Sequence, residues 1–261
     1  MIVAQQQEAQ VYNIMKWVHS DPYKRLYGAA RSQAAKRRLL LFPHSGAGPS
    51  YYLKWLEFLP PDVELWIVNY PGREGRFLEP FANSINNLSY DIAQSLIELR
   101  PLPLLIFGHS LGAAVGFEVA QFYETNGGMD LTKLIVSSRP PKKMNDELTN
   151  MLKLSDRELI NAVCNKYGGI ASEIIENDEF QQFFTPILRS DLNLLLNYST
   201  PSNVKLNTDI HASFGDKEVS FSSKDIDEWR NYTNKNFTIT KFSGDHFYFQ
   251  DNLKNILSTI I

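Results

Sequence analysis

Gly108-His109-Ser110-Leu111-Gly112 sets a serine between two glycines. The apolar run Leu102 to Phe107 comes immediately before it, and the helix-forming stretch Leu111 to Glu124 immediately after. Strand, tight turn and helix in that order lift a hydroxyl to the tip of a sharp bend beside a helix N-terminus. Glycines suit the places where strand and helix pass too close for a side chain. A serine hydroxyl becomes a useful nucleophile only when a base takes its proton. Of the five histidines, His19 lies near the N-terminus, His44 in the loop after an early apolar run, and His211 inside an apolar run. His109 adjoins the serine and is expected to point away from the tip. His246, in Gly244-Asp245-His246-Phe247, follows the last strand-like run and precedes the final helix, where a base can reach over Ser110. With the chain order serine, acid, histidine, the acid that orients the imidazole falls between residues 110 and 246. Asp216, at the end of the run from Ile210, is the expected acid. Asp245 competes, but immediate neighbours in extended chain point to opposite sides. An oxyanion is expected to be held by two backbone N–H groups. One belongs to Leu111, and the other to Ser45, with Gly46 as the alternative, in the loop Pro43-His44-Ser45-Gly46-Ala47-Gly48.

These residues need a scaffold, and the apolar pattern supplies one. Compact apolar runs recur at Leu39 to Phe42, Val63 to Val68, Leu104 to Phe107, Leu134 to Val136, Ile210 to Phe214 and Phe237 to Phe242. Most read as strands covered on both faces. Helical stretches lie between them, around Ile85 to Leu99, Leu111 to Glu124, Asp225 to Thr233 and Asn252 to Ile260. Strands alternating with helices predict a mainly parallel sheet flanked by helices, an α/β fold. Between Pro140-Pro141 and Pro201 the alternation stops and two helical patterns appear, Asp156 to Tyr167 and Glu179 to Asn197. The second, with Phe180, Phe183, Phe184, Ile187, Leu188, Leu192, Leu195 and Leu196, is too apolar for a solvated helix. It predicts a helical lid inserted at about 142–200, with ordinary crossover helices as the alternative. Residues 1–36 form a leader, partly helical, with Val11, Ile14, Met15 and Val18 at helical spacing until Asp21-Pro22. The main domain is expected to occupy 37–261.

Composition narrows the remaining classes. Of 261 residues 43 % are hydrophobic and 21 % charged, which suits one large globular domain, or one domain carrying an insertion. The net charge of -3 gives no bulk attraction for nucleic acid. The single cysteine, Cys164, rules out an intramolecular disulfide and argues against a cysteine zinc site. No apolar run approaches the ~20 residues of a membrane span. His-Glu-x-x-His and phosphate-loop patterns are absent. A cytoplasmic protein is expected.

Phe42-Pro43-His44-Ser45-Gly46-Ala47-Gly48, Tyr70-Pro71-Gly72-Arg73-Glu74, Gly108-His109-Ser110-Leu111-Gly112, Gly215-Asp216 and Gly244-Asp245-His246-Phe247-Tyr248-Phe249 together resemble the type II thioesterases. These are discrete α/β-hydrolase proteins that accompany polyketide synthases and nonribosomal peptide synthetases. Pro186 to Leu192 and Tyr198 resemble that family's lid, and the likeness runs in consistent order from about Trp17 to the C-terminus. The chain departs from the family in its His-Ser-Gly-Ala-Gly loop, in Leu111 where methionine is common, and in lacking the usual proline after the acid. The resemblance implies an enzyme that hydrolyses aberrant or stalled acyl groups from the phosphopantetheine arm of acyl or peptidyl carrier proteins. It makes Ser110 the nucleophile, His246 the base and Asp216 the acid. It also implies a monomer without cofactor or metal. Local positive charge is expected near the channel mouth; Arg73 and Arg189 lie in the family-like segments, their exposure unfixed by sequence. A carboxylesterase, a chain-releasing thioesterase and a catalytically silent binding protein are the other readings of the same residues.

Overall fold

A computed structural model describes residues 25–261 apart from 31–33, 98, 128–129 and 142–145. The leader helix expected over Val11 to Val18 and His19 lie outside the described residues. The apolar runs become strands β2 (Arg37–Phe42), β3 (Val63–Val68), β4 (Leu104–His109), β5 (Leu131–Ser137), β6 (Asp209–Gly215) and β7 (Phe237–Phe242). A further strand, β1 (Leu26–Ala30), comes from the segment read as leader. The seven form one sheet in the order β1-β3-β2-β4-β5-β6-β7. Only β1 runs antiparallel, against β3; the other pairs are parallel, as the alternation of strands and helices predicts.

Successive side chains of a strand face opposite sides of a sheet, and the core divides accordingly. Leu40 and Phe42 of β2 and Ile106 of β4 pack on one face, against helices α1 (Ile85–Ile97) and α2 (Leu111–Thr125). Leu39, Leu41, Leu105 and Phe107 pack on the other, against the 3-10 helix Pro49–Glu57 and the C-terminal helix. Both faces of β2, β3 and β4 are buried, whereas edge strand β7 is largely half-exposed.

The insertion between β5 and β6 is helical: α3 (Asp146–Met151), α4 (Asp156–Tyr167), α5 (Ser172–Glu176) and α6 (Asp178–Leu196). A capping box of Ser155 and Glu158 starts α4. The Asn177 side chain accepts the N–H groups of Glu179 and Phe180 to start α6. The chain then continues through a short helix α7 (Ser223–Asp227) to α8 (Phe249–Ile260). The stretch expected as one helix over Asp225 to Thr233 is instead α7 followed by a 3-10 turn, Glu228–Tyr232. The loops leaving β2, β4, β5, β6 and β7 gather at the C-terminal ends of the parallel strands, where open α/β sheets place their sites.

Candidate active site

Ser110 sits between β4 and α2 at φ 53° and ψ -113°, a left-handed backbone that a non-glycine residue rarely holds. The flanking glycines permit it. A Cβ on Gly108 would lie 2.1 Å from the Gly112 carbonyl oxygen, and one on Gly112 would lie 2.0 Å from that of Phe42. The helix therefore passes directly over β2, and Ser110 is left at the tip. Its N–H donates to the Ser137 carbonyl at 2.9 Å, tying the bend to β5. Leu111 opens α2, so its N–H has no carbonyl one turn back to donate to.

His246 is buried after β7 and lines the same cavity as Ser110. Its Nδ1 lies 2.6 Å from Glu218 Oε2. The expected Asp216–His246 pair does not form. Asp216 is exposed, and its Oδ1 accepts the Gly244 N–H at 2.9 Å, joining the β6 and β7 loops. Asp245, the competitor, accepts the Phe247 N–H at 2.8 Å. Glu218 comes two residues after Asp216, and the turn between them carries its side chain under the imidazole. Its Oε1 accepts the Ser220 hydroxyl at 2.6 Å and the N–H groups of Ser220 and Val219, each at 3.0 Å. One carboxylate oxygen is thus fixed by its own loop and the other faces His246. Burial opposes ionisation of Glu218, but the hydrogen bond and charge of His246, with the Ser220 bonds, hold its carboxyl below the usual range.

The other histidines lie away from the tip or beneath it. His109 is fully buried, with Nδ1 2.9 Å from Ser137 Oγ and its ring centroid 4.9 Å from that of His246. Burial, with the charges of His246 and His44, holds it well below the usual imidazole range. His44 pairs with the Tyr52 hydroxyl at 2.7 Å, and burial, aided by His246 and Arg73, lowers its pKa to about 3. His211 lies in β6 against Thr238, lowered by burial to about 4.

The loop after β2 is braced from several sides. Gly46, at φ 84°, gives its N–H to Asp191 Oδ2 of α6 at 2.8 Å. That donor is therefore already taken by the lid helix. Arg73 reaches Asp191 with two bonds of 2.7 and 2.6 Å and the Ala47 carbonyl with one of 3.2 Å. The Tyr70 hydroxyl donates to the Pro43 carbonyl at 3.1 Å, and Glu74 receives the Ser50 hydroxyl at 2.7 Å. The Tyr70 to Glu74 segment is thus a buttress for this loop, a role the sequence did not disclose.

Arg73 is buried in its ion pair, with 5 % of the side chain exposed. Burial alone would lower its pKa, but the charge and hydrogen bonds of Asp191 outweigh that and raise it. Arg189 is spent within the lid, on Asp156 and the carbonyls of Leu152 and Leu154. Neither arginine supplies the free positive charge expected at the channel mouth.

Ser110, Ser45 and His246 open onto a cavity of about 240 Å³ roofed by the insertion. Phe184, Leu188, Leu192 and Leu195 of α6, with Val163 and Tyr167 of α4, form much of its apolar wall. Phe180 and Phe183, on the same helix, face outward instead, 49 % and 62 % exposed. No group of side chains suited to a metal ion occurs among the described residues, and none of their helices is long and apolar enough to cross a membrane.

A left-handed serine at the tip of a strand–helix bend, with a histidine–carboxylate pair on later loops of a mainly parallel sheet, is the arrangement of the α/β-hydrolase class. Comparison with known proteins narrows the class. Residues 37–261 match the thioesterase domain family, and the chain belongs to that family. Thioesterase PikA5 of Streptomyces venezuelae is 33 % identical over 225 residues, 85 % of this chain and 79 % of that protein. Phenyloxazoline synthase MbtB of Mycobacterium tuberculosis is 31 % identical over 217 residues, which are 82 % of this chain and only 15 % of that protein. Among solved structures, the type II thioesterase BorB of the borrelidin cluster superposes with a TM-score of 0.83. It is 29 % identical, covering 93 % of this chain and 97 % of BorB. The type II thioesterase YbtT of the yersiniabactin pathway, as its S89A mutant, gives 0.80 at 26 % identity over 90 % and 96 %.

Proposed function

We propose that this chain is a serine thioesterase that removes aberrant or stalled acyl groups from the phosphopantetheine arm of carrier proteins. The observation that carries the reading is the Glu218–His246 pair, whose imidazole lines the same apolar, helix-roofed cavity as Ser110. In this mechanism Ser110 Oγ attacks the thioester carbonyl carbon as His246 Nε2 takes the hydroxyl proton. Glu218 holds the Nδ1–H tautomer and stabilises the imidazolium. The Ser45 and Leu111 N–H groups receive the oxyanion. The intermediate collapses, the C–S bond breaks, and the thiol leaves with the proton from His246. Water then attacks the acyl carbon as His246 takes its proton; the acyl–Oγ bond breaks, His246 returns the proton to Ser110 Oγ, and the acid is released. A thiol pKa of about 8.5 makes the leaving group easier to expel than an alcohol. This reaction needs no cofactor beyond the carrier's own arm.

The likeness to PikA5, BorB and YbtT supports a setting in polyketide or nonribosomal peptide assembly. The test is a panel of acyl groups, each presented on carrier protein and on N-acetylcysteamine. Hydrolysis is expected to be faster on carrier and to vanish in Ser110→Ala. Equal rates on both, or rapid cleavage of oxygen esters, would point to a general esterase. No turnover of any acyl thioester would point to a binding protein.

A further inference from the structure

Four arginines are buried among the described residues. Three have carboxylates: Arg38 with Glu64, Arg73 with Asp191, and Arg76 with Glu79. The fourth, Arg139, is 2 % exposed and has no carboxylate or carbonyl within hydrogen-bond reach of its guanidinium among the described residues. Its Nε is buried without a partner, and its guanidinium carbon lies 5.9 Å from the centroid of the Tyr198 ring. Glu118 is engaged instead by the Tyr198 hydroxyl at 2.8 Å. Burial lowers the pKa of Arg139 to about 10, which leaves it charged at neutral pH. A buried charge without a counter-ion is costly and uncommon.

The position of this arginine gives the cost a purpose. Arg139 lines the cavity that holds Ser110 and His246. It follows Ser137, whose carbonyl holds the Ser110 N–H, and Ser138, whose hydroxyl donates to the His246 carbonyl at 3.1 Å. Ser138 has a left-handed φ of 47°, so the chain turns sharply just before the arginine. The backbone carbonyl of Arg139 is anchored by Trp229 Nε1 at 2.7 Å. The backbone that carries Arg139 is therefore held in the wall of the cavity onto which Ser110 opens, a wall otherwise mostly apolar.

We infer that Arg139 is a specificity-determining residue that receives the free carboxylate of a short dicarboxylic acid held as its monothioester. The missing counter-ion of the pocket is then part of the acyl group. A guanidinium pairs with a carboxylate through two parallel hydrogen bonds, which an apolar chain end cannot offer. The inference rests on the thioesterase reading and names the acyl class that the site selects.

The test compares N-acetylcysteamine thioesters of malonate, succinate and glutarate with neutral isosteres carrying an isopropyl group in place of the carboxylate. These are the 3-methylbutanoyl, 4-methylpentanoyl and 5-methylhexanoyl thioesters. For at least one length, wild-type kcat/KM is expected to favour the carboxylated acyl group by roughly 10- to 100-fold. Arg139→Met is expected to erase that preference mainly through KM while leaving the isostere rate within a few-fold, and Arg139→Lys to restore part of it. Wild-type preference for the neutral isostere at all three lengths would overturn the inference without any variant. An equal loss for both members of a pair in Arg139→Met would do the same and assign the arginine to structure. Calorimetric binding of each pair to Ser110→Ala reads the contact without turnover. Preferential carboxylate binding there with no wild-type hydrolysis would sustain the Arg139 contact while refuting the thioesterase reading. Robust hydrolysis with no carboxylate preference would do the reverse.

Discussion

Replacing Glu218 by glutamine is expected to cripple the reaction without unfolding the protein, and the reason can be traced atom by atom. Glu218 Oε1 is held by the Ser220 hydroxyl and by the N–H groups of Ser220 and Val219, all donors. An amide placed there must turn its oxygen toward them and its NH2 toward His246. Nδ1 can then only accept, so the imidazole proton moves to Nε2, the nitrogen that must take the proton of Ser110. The wrong tautomer in an equivalent triad lowers kcat by about 10^4-fold, or about 5 kcal/mol at 1.36 kcal/mol per decade. Asp216→Asn is the matched control. An asparagine oxygen can still accept the Gly244 N–H, and the site is exposed. Its effect is expected to stay within about 0.5 kcal/mol, or roughly twofold. Steady-state kcat on one acyl N-acetylcysteamine thioester, with a thermal melt for each variant, makes the comparison. A Glu218→Gln enzyme within tenfold of wild type, or a larger loss in Asp216→Asn, would refute the assignment of Glu218 to the imidazole.

Asp191→Asn leaves Arg73 buried without its charge partner and is expected to cost about 3–5 kcal/mol. At ~2–4 °C per kcal/mol for a chain of this size, calorimetry should record a fall in Tm of roughly 6–20 °C. Adding Arg73→Met should recover part of that stability, because no unpaired charge then remains and the asparagine oxygen can still accept the Gly46 N–H. Stability should also decline as pH falls from about 6.5 towards 3. His44 is neutral in the fold with a pKa of about 3, so over that window the unfolded chain binds the extra proton. The urea midpoint should drop between pH 7 and pH 4, and drop less in His44→Gln; an equal drop would assign the effect to other groups. Hydrogen exchange should be fast in α3 and α5 and slow along the buried face of α6 around Asp191. Uniformly fast exchange across the insertion would contradict the tie between α6 and the loop after β2.

The proposed nucleophile and base, Ser110 and His246, are readable in sequence because their signals are local. Gly108 and Gly112 report a backbone crossing at about 2 Å from a missing Cβ, and His246 sits where the last strand ends. The acid is not local in the same sense. Asp216 and Glu218 share one turn, and the hydrogen bonds of that turn, not chain order, decide which faces His246. Strand β1, Leu-Tyr-Gly-Ala-Ala, carries little strand preference of its own and is fixed by pairing with β3. The sequence leaves the exposure of Arg73 open because the carboxylate that buries it lies 118 residues away in the chain. Arg139 reads as nothing at all, since a missing partner is visible only in three dimensions.

The Arg73–Asp191–Gly46 contact makes the long lid helix and the loop after β2 one mechanical piece. A lid that hinged upward as a unit would pull its own carboxylate from Gly46 and slacken the donor next to it. Access to Ser110 must then come from the outer helices moving past a stationary α6, or else entry and catalytic competence alternate. The same coupling bears on engineering. A lid transplanted from a relative to change acyl preference carries half of the support for the active-site loop. It would have to bring an acid at position 191 to meet the resident Arg73, or the graft would alter rate as well as selectivity.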